Sequence, residues 1–307
     1  MSDEKSSIAG PRIAVAGATG RVGGALLDAL RNDEADVVAL SRTEGSDRLP
    51  SGMQVAKIDF DERATLVGAL QGADRLFLAH GTSDRQVENE IAMIDAAVAA
   101  GVSHIVKLSA MGPPTQRHPF DWHMKIEAHL ANCSIGYTVL RPSCFVDTLA
   151  RAKAPVASGT WGGTAGEGRV NLIDTRDVAS VARVVLLADN LPSSQRAFHL
   201  TGPGTMSMPE IANELSRLLD RTVSYTHRSH AEQREILIAS GMGEMAADLL
   251  LGLDSIFRES ALAETTTTVT DLTGEKPRSV MDWLADNLDD FGPGTRLSSR
   301  NSVERRK

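Results

Sequence analysis

The stretch RIAVAGATGRVGG, residues 12–24, decides the reading of the chain, because a short apolar run meets three glycines there and then a helix. Gly17, Gly20 and Gly23 stand in a GxxGxxG spacing at that junction. Each has its own physical task. Gly17 lets the chain turn sharply off the strand, Gly20 lets backbone approach a pyrophosphate with no Cβ between, and Gly23 lets the helix pack closely on the sheet. The free amide groups of the first helical turn then face an anion. A glycine triplet alone is weak evidence, since such turns are common. Its flanks strengthen it: IAVA (13–16) reads as a buried parallel strand and ALLDAL (25–30) as an amphipathic helix. Strand, glycine turn and helix in this order point to dinucleotide binding.

The next apolar run, DVVALSR at 36–42, ends about twenty residues beyond the glycines, where this fold meets the adenosine ribose. An NAD-selective site places an acidic residue there for the 2′-hydroxyl. This chain has Ser41 and Arg42 instead. A carboxylate would repel a 2′-phosphate, whereas a hydroxyl and a guanidinium suit one, so the chemistry favours NADP (NADPH) and leaves NAD open as the alternative. The competing reading makes Arg42 a solvated loop residue, with Arg48 nearby to stand in for it.

With 307 residues, 42% hydrophobic and 23% charged, the composition is that of an ordinary soluble globular protein with room for one α/β unit and an attached lobe. A formal net charge of −8 gives no basic footprint for nucleic acid or an anionic membrane. Residues 2–10 are polar and no later stretch approaches a membrane span, so the expectation is a cytoplasmic protein with neither nucleic-acid nor membrane partners. Two cysteines, Cys133 and Cys144, cannot build a disulfide framework and lack a zinc spacing; small buried apolar residues is the simplest reading of both.

Along the chain, strands at 53–60, 74–79, 104–110 and 137–142 alternate with helices at 64–70, 84–100 (closed by Gly101) and 122–130. Such alternation implies right-handed parallel crossovers. Helices follow at 177–187, 208–219, 230–239 and 243–258, and a late strand at 197–203. The fold class expected is α/β, a Rossmann-type doubly wound parallel sheet with a smaller C-terminal substrate lobe. The division is a tail at 1–10, a nucleotide-binding core at 11–142 completed by about 174–201, a lobe from 143–173 and 202–291, and a polar, basic tail at 292–307 expected to be disordered. No repeat suggests a solenoid.

Several motifs then coincide in order: GATGRVGG (17–24), VKLSA (106–110), His123 with Glu127, YTVLRP (137–142), IDTRDVA (173–179), HLTGP (199–203) and LTGEKPRS (272–279). Together they resemble the NmrA-like atypical short-chain dehydrogenase/reductase family, which includes NAD(P)H-dependent quinone and triphenylmethane dye reductases. The resemblance spans about residues 12–291. It implies Gly17, Thr19, Gly20, Arg21, Val22 and Gly23 around the pyrophosphate and Ser41 and Arg42 near the adenosine end. Asp59 and Phe60 would flank the adenine, and Ala79, His80 and Gly81 would lie beside the ribose. Ser109 and Ala110 would approach the nicotinamide, with Pro142, Ser143 and Phe145 along its face.

The acid/base pair of ordinary short-chain dehydrogenases, a tyrosine four residues before a lysine, is absent: neither Tyr137 nor Tyr225 has such a lysine. Two readings follow. Hydride transfer to an electron-poor acceptor such as a quinone needs chiefly close approach, so solvent or one histidine can supply the proton. Alternatively the protein binds NADP as a catalytically silent sensor, as the regulator that names the family is thought to do. An isomerase or a biosynthetic reductase with a narrow substrate also stays open. His123 is the candidate proton donor, four residues from Glu127 on one helical face, with a pKa range suited to acid work; the competing reading is that the pair only anchors the helix. Lys125 is out of phase with that face, and Lys107 is mid-strand, set to touch the cofactor or to make a buried contact. His118, Asp121, His123, Glu127 and His129 lack a metal-binding pattern, so no metal is expected. Cys144 reads as packing rather than a redox thiol, and Trp122 and Trp161 as pocket lining or core. The leading expectation is an NADPH-preferring reductase of a small, flat, electron-poor acceptor, of undetermined oligomeric state.

Overall fold

The computed structural model describes residues 10–43, 46–112, 120–189 and 196–292. The expected tails, save Gly10 and Gly292, lie outside the described residues, as does His118. In chain order the elements are β1 (Arg12–Ala16), α1 (Arg21–Leu30), β2 (Asp36–Ser41), β3 (Gln54–Lys57), α2 (Arg63–Leu70), β4 (Arg75–Leu78), α3 (Gln86–Ala100), β5 (His104–Leu108), α4 (Phe120–Ala131) and β6 (Gly136–Pro142). Then come β7 (Cys144–Phe145), a 3-10 segment (Val146–Ala152), α5 (Lys153–Ala157), β8 (Gly162–Gly163), β9 (Arg169–Ile173), α6 (Thr175–Leu187) and β10 (Arg196–Leu200). The chain continues through β11 (Thr205–Ser207), α7 (Met208–Leu219), β12 (Thr226–His227), α8 (His230–Ala239), α9 (Glu244–Arg258), α10 (Thr268–Thr273), α11 (Val280–Asp286) and a last 3-10 turn (Leu288–Phe291).

Two compact units emerge. The first joins Met1–Ser143, Ile173–Pro203 and Thr266–Pro277. Its seven strands form one wholly parallel sheet in the order β10-β6-β5-β4-β1-β2-β3. Side chains alternate across it. Ala14 and Ala16, Val38 and Leu40, Leu76 and Leu78, Ile105, Tyr137 and Val139 share one face, where they pack with Leu66 and Leu70 of α2, Met93 and Ile94 of α3, and Ile126 and Leu130 of α4. The opposite set includes Ile13, Val15, Phe77, Val106 and Leu140, all buried, and α1, α6 and α10 pack together as the other helices of this unit. Helices cover both faces, so the sheet is doubly wound as the alternation predicts. Truncating a fully buried side chain such as Leu66 to alanine costs about 2–5 kcal/mol.

Local signals fix the helix ends. Gly101, at φ 78°, closes α3 in the left-handed conformation that a glycine adopts freely. Asp174 caps α6, its carboxylate accepting from the Arg176 N–H at 2.8 Å. The second unit joins Cys144–Leu172, Gly204–Thr265 and Arg278–Lys307. It holds a small β11-β9-β7 sheet, the short parallel pair of β8 and β12, and helices α5, α7, α8, α9 and α11. Trp161 is buried edge-on to Tyr225, their ring centres 5.3 Å apart, and Asp254 accepts from both the N–H and the hydroxyl of Thr164.

Candidate functional site

In a parallel sheet the ends of all strands point one way, and the strand order reverses between β1 and β4. Most of the cofactor residues singled out in the first unit fall at or just past strand ends along that carboxyl edge. They are Gly17 to Gly20 after β1, Ser41 and Arg42 at β2, Asp59 and Phe60 after β3, Ala79 to Gly81 after β4, Ser109 and Ala110 after β5, and Pro142 and Ser143 at β6. After β1, Gly17 sits at φ +77°, and a Cβ built there would stand 2.6 Å from the carbonyl oxygen of Ala79 at the end of β4. Gly17 therefore serves close approach of two strand ends as well as the turn. A Cβ on Gly23 would lie 2.2 Å from the Gly17 carbonyl, so α1 packs against its own entry loop only because that atom is missing. Gly20, whose N–H donates to Gly17 O at 2.9 Å, occupies the N-cap of α1 with no side chain capping the helix and no acid in its first turn. Arg21 is exposed, Thr19 half-buried, and Val22 buried as the anchor of the helix. Uncapped amides at a helix start suit an anion.

On the β2 side, Ser41 is buried and its hydroxyl closes a local turn, donating to Thr43 O at 2.8 Å and accepting from Thr43 N at 3.2 Å. That turn presents Arg42, which is exposed and makes no ion pair among the described residues. After β3, the Asp59 N–H donates to Thr65 Oγ1 at 2.9 Å while its carboxylate accepts from Asp61 N. The Phe60 ring meets His80 edge-on, with centres 5.7 Å apart. His80 lies between the Gly81 carbonyl (2.6 Å from Nδ1) and Asn89 (3.0 Å from Nε2), which makes Nδ1 the protonated nitrogen. Ala79 is half-buried and Gly81 exposed.

Behind β4 and β5 lies a buried polar cluster. Lys107 and Glu90 are fully buried side chains 2.8 Å apart, and the Gln86 amide donates to the other Glu90 oxygen at 2.9 Å. Lys107 also donates to the Leu108 carbonyl and to His123 Nδ1, the latter at 3.3 Å. Of the two readings of Lys107, the buried contact is the one present. An ammonium has no lone pair to give, so Nδ1 accepts and His123 carries its proton on Nε2. Close surroundings, and secondarily the Lys107 charge, hold the imidazole well below its ordinary pKa. This corrects the expectation of a histidine titrating near neutrality: the imidazolium is not the resting form. Glu127 is engaged elsewhere, accepting from Ser109 Oγ and pairing with Arg141. Gln86, Asn89 and Glu90 were not singled out from the sequence. Their spacing puts three buried polar residues on one face of α3, a pattern that does mark a buried network.

Ser109 is buried, its N–H donating to Leu140 O at 2.7 Å, and Ala110 follows half-buried. Pro142 and Ser143 are buried at the end of β6, linked through Pro142 O to Met111 N and through Ser143 N to Leu200 O, each at 2.8 Å. Phe145 and Cys144 belong to the second unit. Burial pushes the Cys144 thiol up to about 12, which makes it inert as a nucleophile. Lys125 is exposed and pairs with Asp121 at 3.2 Å; Trp122 and Trp161 are buried, one in each unit.

Among the described residues no helix is long and apolar enough to cross a membrane. The chain is 29% identical over 285 residues to the NAD(P)H azoreductase of Xenophilus azovorans, covering 91% of this chain and 99% of that one. It is 28% identical over 270 residues to quinone oxidoreductase 2 of Escherichia coli (strain K12), covering 85% and 93% of the two chains. Among solved structures, an NADPH-dependent quinone oxidoreductase from Escherichia coli superposes with a TM-score of 0.81 at 26% identity, over 90% of this chain and 99% of the other. The NmrA-like family model matches residues 10–284, so nearly the whole folded chain, glycine turn and carboxyl edge included, belongs to the NmrA-like family.

Proposed function

We propose that this chain is an NADPH-dependent reductase of small electron-poor organic acceptors, quinones or azo and triarylmethane dyes. The observation that supports it is the carboxyl edge of the sheet: a glycine turn opening on the uncapped α1, beside an exposed guanidinium where an NAD-selective site carries an acid. These residues fit a phosphorylated dinucleotide. The amides of residues 21–23 take the pyrophosphate and Arg42 takes the 2′-phosphate, while the Ser41 hydroxyl shapes the turn that presents it. Asp59 and Phe60 flank the adenine, Ala79, His80 and Gly81 the ribose, and Ser109, Ala110, Pro142 and Ser143 lie toward the nicotinamide.

When bound, NADPH supplies a hydride, and the acceptor that takes it also takes up a proton. The chain's contribution is chiefly orientation, since it has no tyrosine–lysine pair. His123 contributes as a neutral donor: its Nε2–H polarises an acceptor oxygen without first having to be an imidazolium. Lys107 is the positioning residue that fixes this tautomer, and Glu90 compensates the Lys107 charge.

The test is a titration of the protein with NADPH and NADH, then NADPH consumption against a panel of quinones and dyes. Tight NADPH binding with turnover is expected. Binding without turnover on any acceptor would instead indicate a dinucleotide-responsive regulator, and absence of binding would overturn the site.

A further inference from the structure

Three side chains of metal-binding chemistry converge on the α3 and α4 side of the first unit. His129 lies in the last turn of α4, Cys133 follows four residues later, and Asp95 faces them from α3. One ligand atom from each lies within 4.8 Å of the others, and His129 Nε2 is 2.7 Å from Asp95 Oδ1. All three are partly buried, which limits competition from water while leaving an entry path. The sequence drew attention to His129 in company with Asp121, His123 and Glu127. The fold separates it from them, because Asp121 pairs with Lys125, His123 with Lys107 and Glu127 with Arg141.

We propose that Asp95, His129 and Cys133 form a binding site for a borderline divalent cation, Zn2+ foremost. One carboxylate oxygen, one imidazole nitrogen and one thiolate sulfur suit Zn2+, Cd2+ or Co2+ and not the oxygen-seeking Mg2+ or Ca2+. A tetrahedral ion with bonds of about 2.0–2.3 Å requires the 2.7 Å contact of His129 with Asp95 to open and the sulfur to draw in, with water as the fourth ligand. Two neighbours assist. The carbonyl end of α4 carries partial negative charge, which favours a cation at its last turn. Arg63 holds Asp95 through Oδ2 at 3.2 Å, whereas Oδ1 faces His129, so the arginine orients the carboxylate without occupying the ligating oxygen. The Cys133 thiol presently donates to the His129 carbonyl at 3.4 Å. On binding, the S–H proton passes to solvent and the sulfur bonds to the ion. Because binding releases that proton, affinity rises with pH.

Helices of a doubly wound sheet run back from the carboxyl edge, so the end of α4 lies away from the glycine turn. The ion is therefore a structural or regulatory ligand that ties α3 to α4, and the site does not depend on the reductase reading.

Titration of the full-length protein with Co2+, used as the spectroscopic stand-in for Zn2+, tests the site. The expected result is a thiolate-to-cobalt charge-transfer band that is retained in Cys144→Ser and lost in Cys133→Ser. Zn2+ should also raise Tm in the parent protein but not in Cys133→Ser or His129→Gln, with affinity weakened at least about tenfold in each. NADPH binding should be unchanged in both variants. If Cys133→Ser does not fold, Asp95→Asn and His129→Gln carry the same comparison. Absence of the band from the parent protein, its persistence in Cys133→Ser, or an unweakened affinity in His129→Gln and Asp95→Asn overturns the proposal.

Discussion

Arg42 and His123 show how far single residues were legible. The preference for a 2′-phosphate follows from a cation standing where an acid stands in NAD-selective sites, and the structure leaves Arg42 exposed on a turn tied by Ser41. Arg42→Ala should weaken NADPH binding by about tenfold or more, the worth of a charge-assisted hydrogen bond, with NADH binding nearly unchanged. Equal losses for both cofactors in a binding titration would refute the assignment. For His123, helical spacing identified Glu127 as a neighbour on the same face, but spacing within α4 says nothing of what approaches from β5. Lys107 comes from there, and it decides the protonation state. A neutral donor predicts a kcat without an inflection between pH 6 and 8, roughly 10²-fold lower in His123→Ala and partly restored in His123→Gln, which keeps an N–H. A bell-shaped profile lost with His123 would return the imidazolium to the mechanism. A second histidine makes a stability prediction. His104 is buried in β5, bonded to Thr138 Oγ1, and burial lowers its pKa from 6.5 to about 4. Between these values the unfolded chain takes up a proton that the folded protein refuses, so stability falls as pH drops through that window and is unaffected above it. The expected loss at pH 5 is about 2 kcal/mol, to be read by urea denaturation, and His104→Gln should flatten that part of the slope.

Among the elements, those with strong local signals were read almost to the residue. Helices α7 and α8 begin with capping boxes, Ser207 with Glu210 and Ser229 with Glu232, and both match the ranges expected from the sequence. Strand β9 was missed because its burial is continuous from Val170 to Ile173, so no alternation marks it, and it follows a glycine-rich stretch that reads as loop. The two-residue strands β8 and β12 carry no periodicity at all; Gly162 is needed there because a Cβ would stand 2.3 Å from Thr226 O. The contrast between glycines can be tested in two helices. Gly23→Ala in α1 drives a Cβ into a backbone carbonyl and should cost about 1–3 kcal/mol and loosen NADPH binding. Gly68→Ala in α2 meets nothing within 4 Å and should stabilise by about 0.5–1 kcal/mol, seen as a higher Tm. A neutral Gly23→Ala would mean that α1 does not pack against its entry loop.

For the whole molecule, the class of fold was legible because the parallel sheet rests on repeated short-range units, each with its own apolar run and turn. The first unit is assembled from three separate segments, and the last of them, Thr266–Pro277, falls in the range that the sequence reading assigned to the lobe; the unit's sheet is finished by β10, far along the chain from β6. During synthesis, Gly136–Pro142 therefore emerges with one side of its backbone unpaired and stays so until Arg196–Leu200 arrives. That waiting strand is apolar through Tyr137, Val139 and Leu140, whereas the strand that covers it carries His199. A fragment ending at Ser143 should aggregate through this open edge, measurable by light scattering on refolding, while the full chain refolds without it. A monomeric, clear solution of the fragment would show that the edge is protected in another way. The long excursion between β6 and β10 thus makes the nascent chain's safety a matter of timing: elongation must outrun self-association, or a chaperone must hold the edge until its partner strand is made.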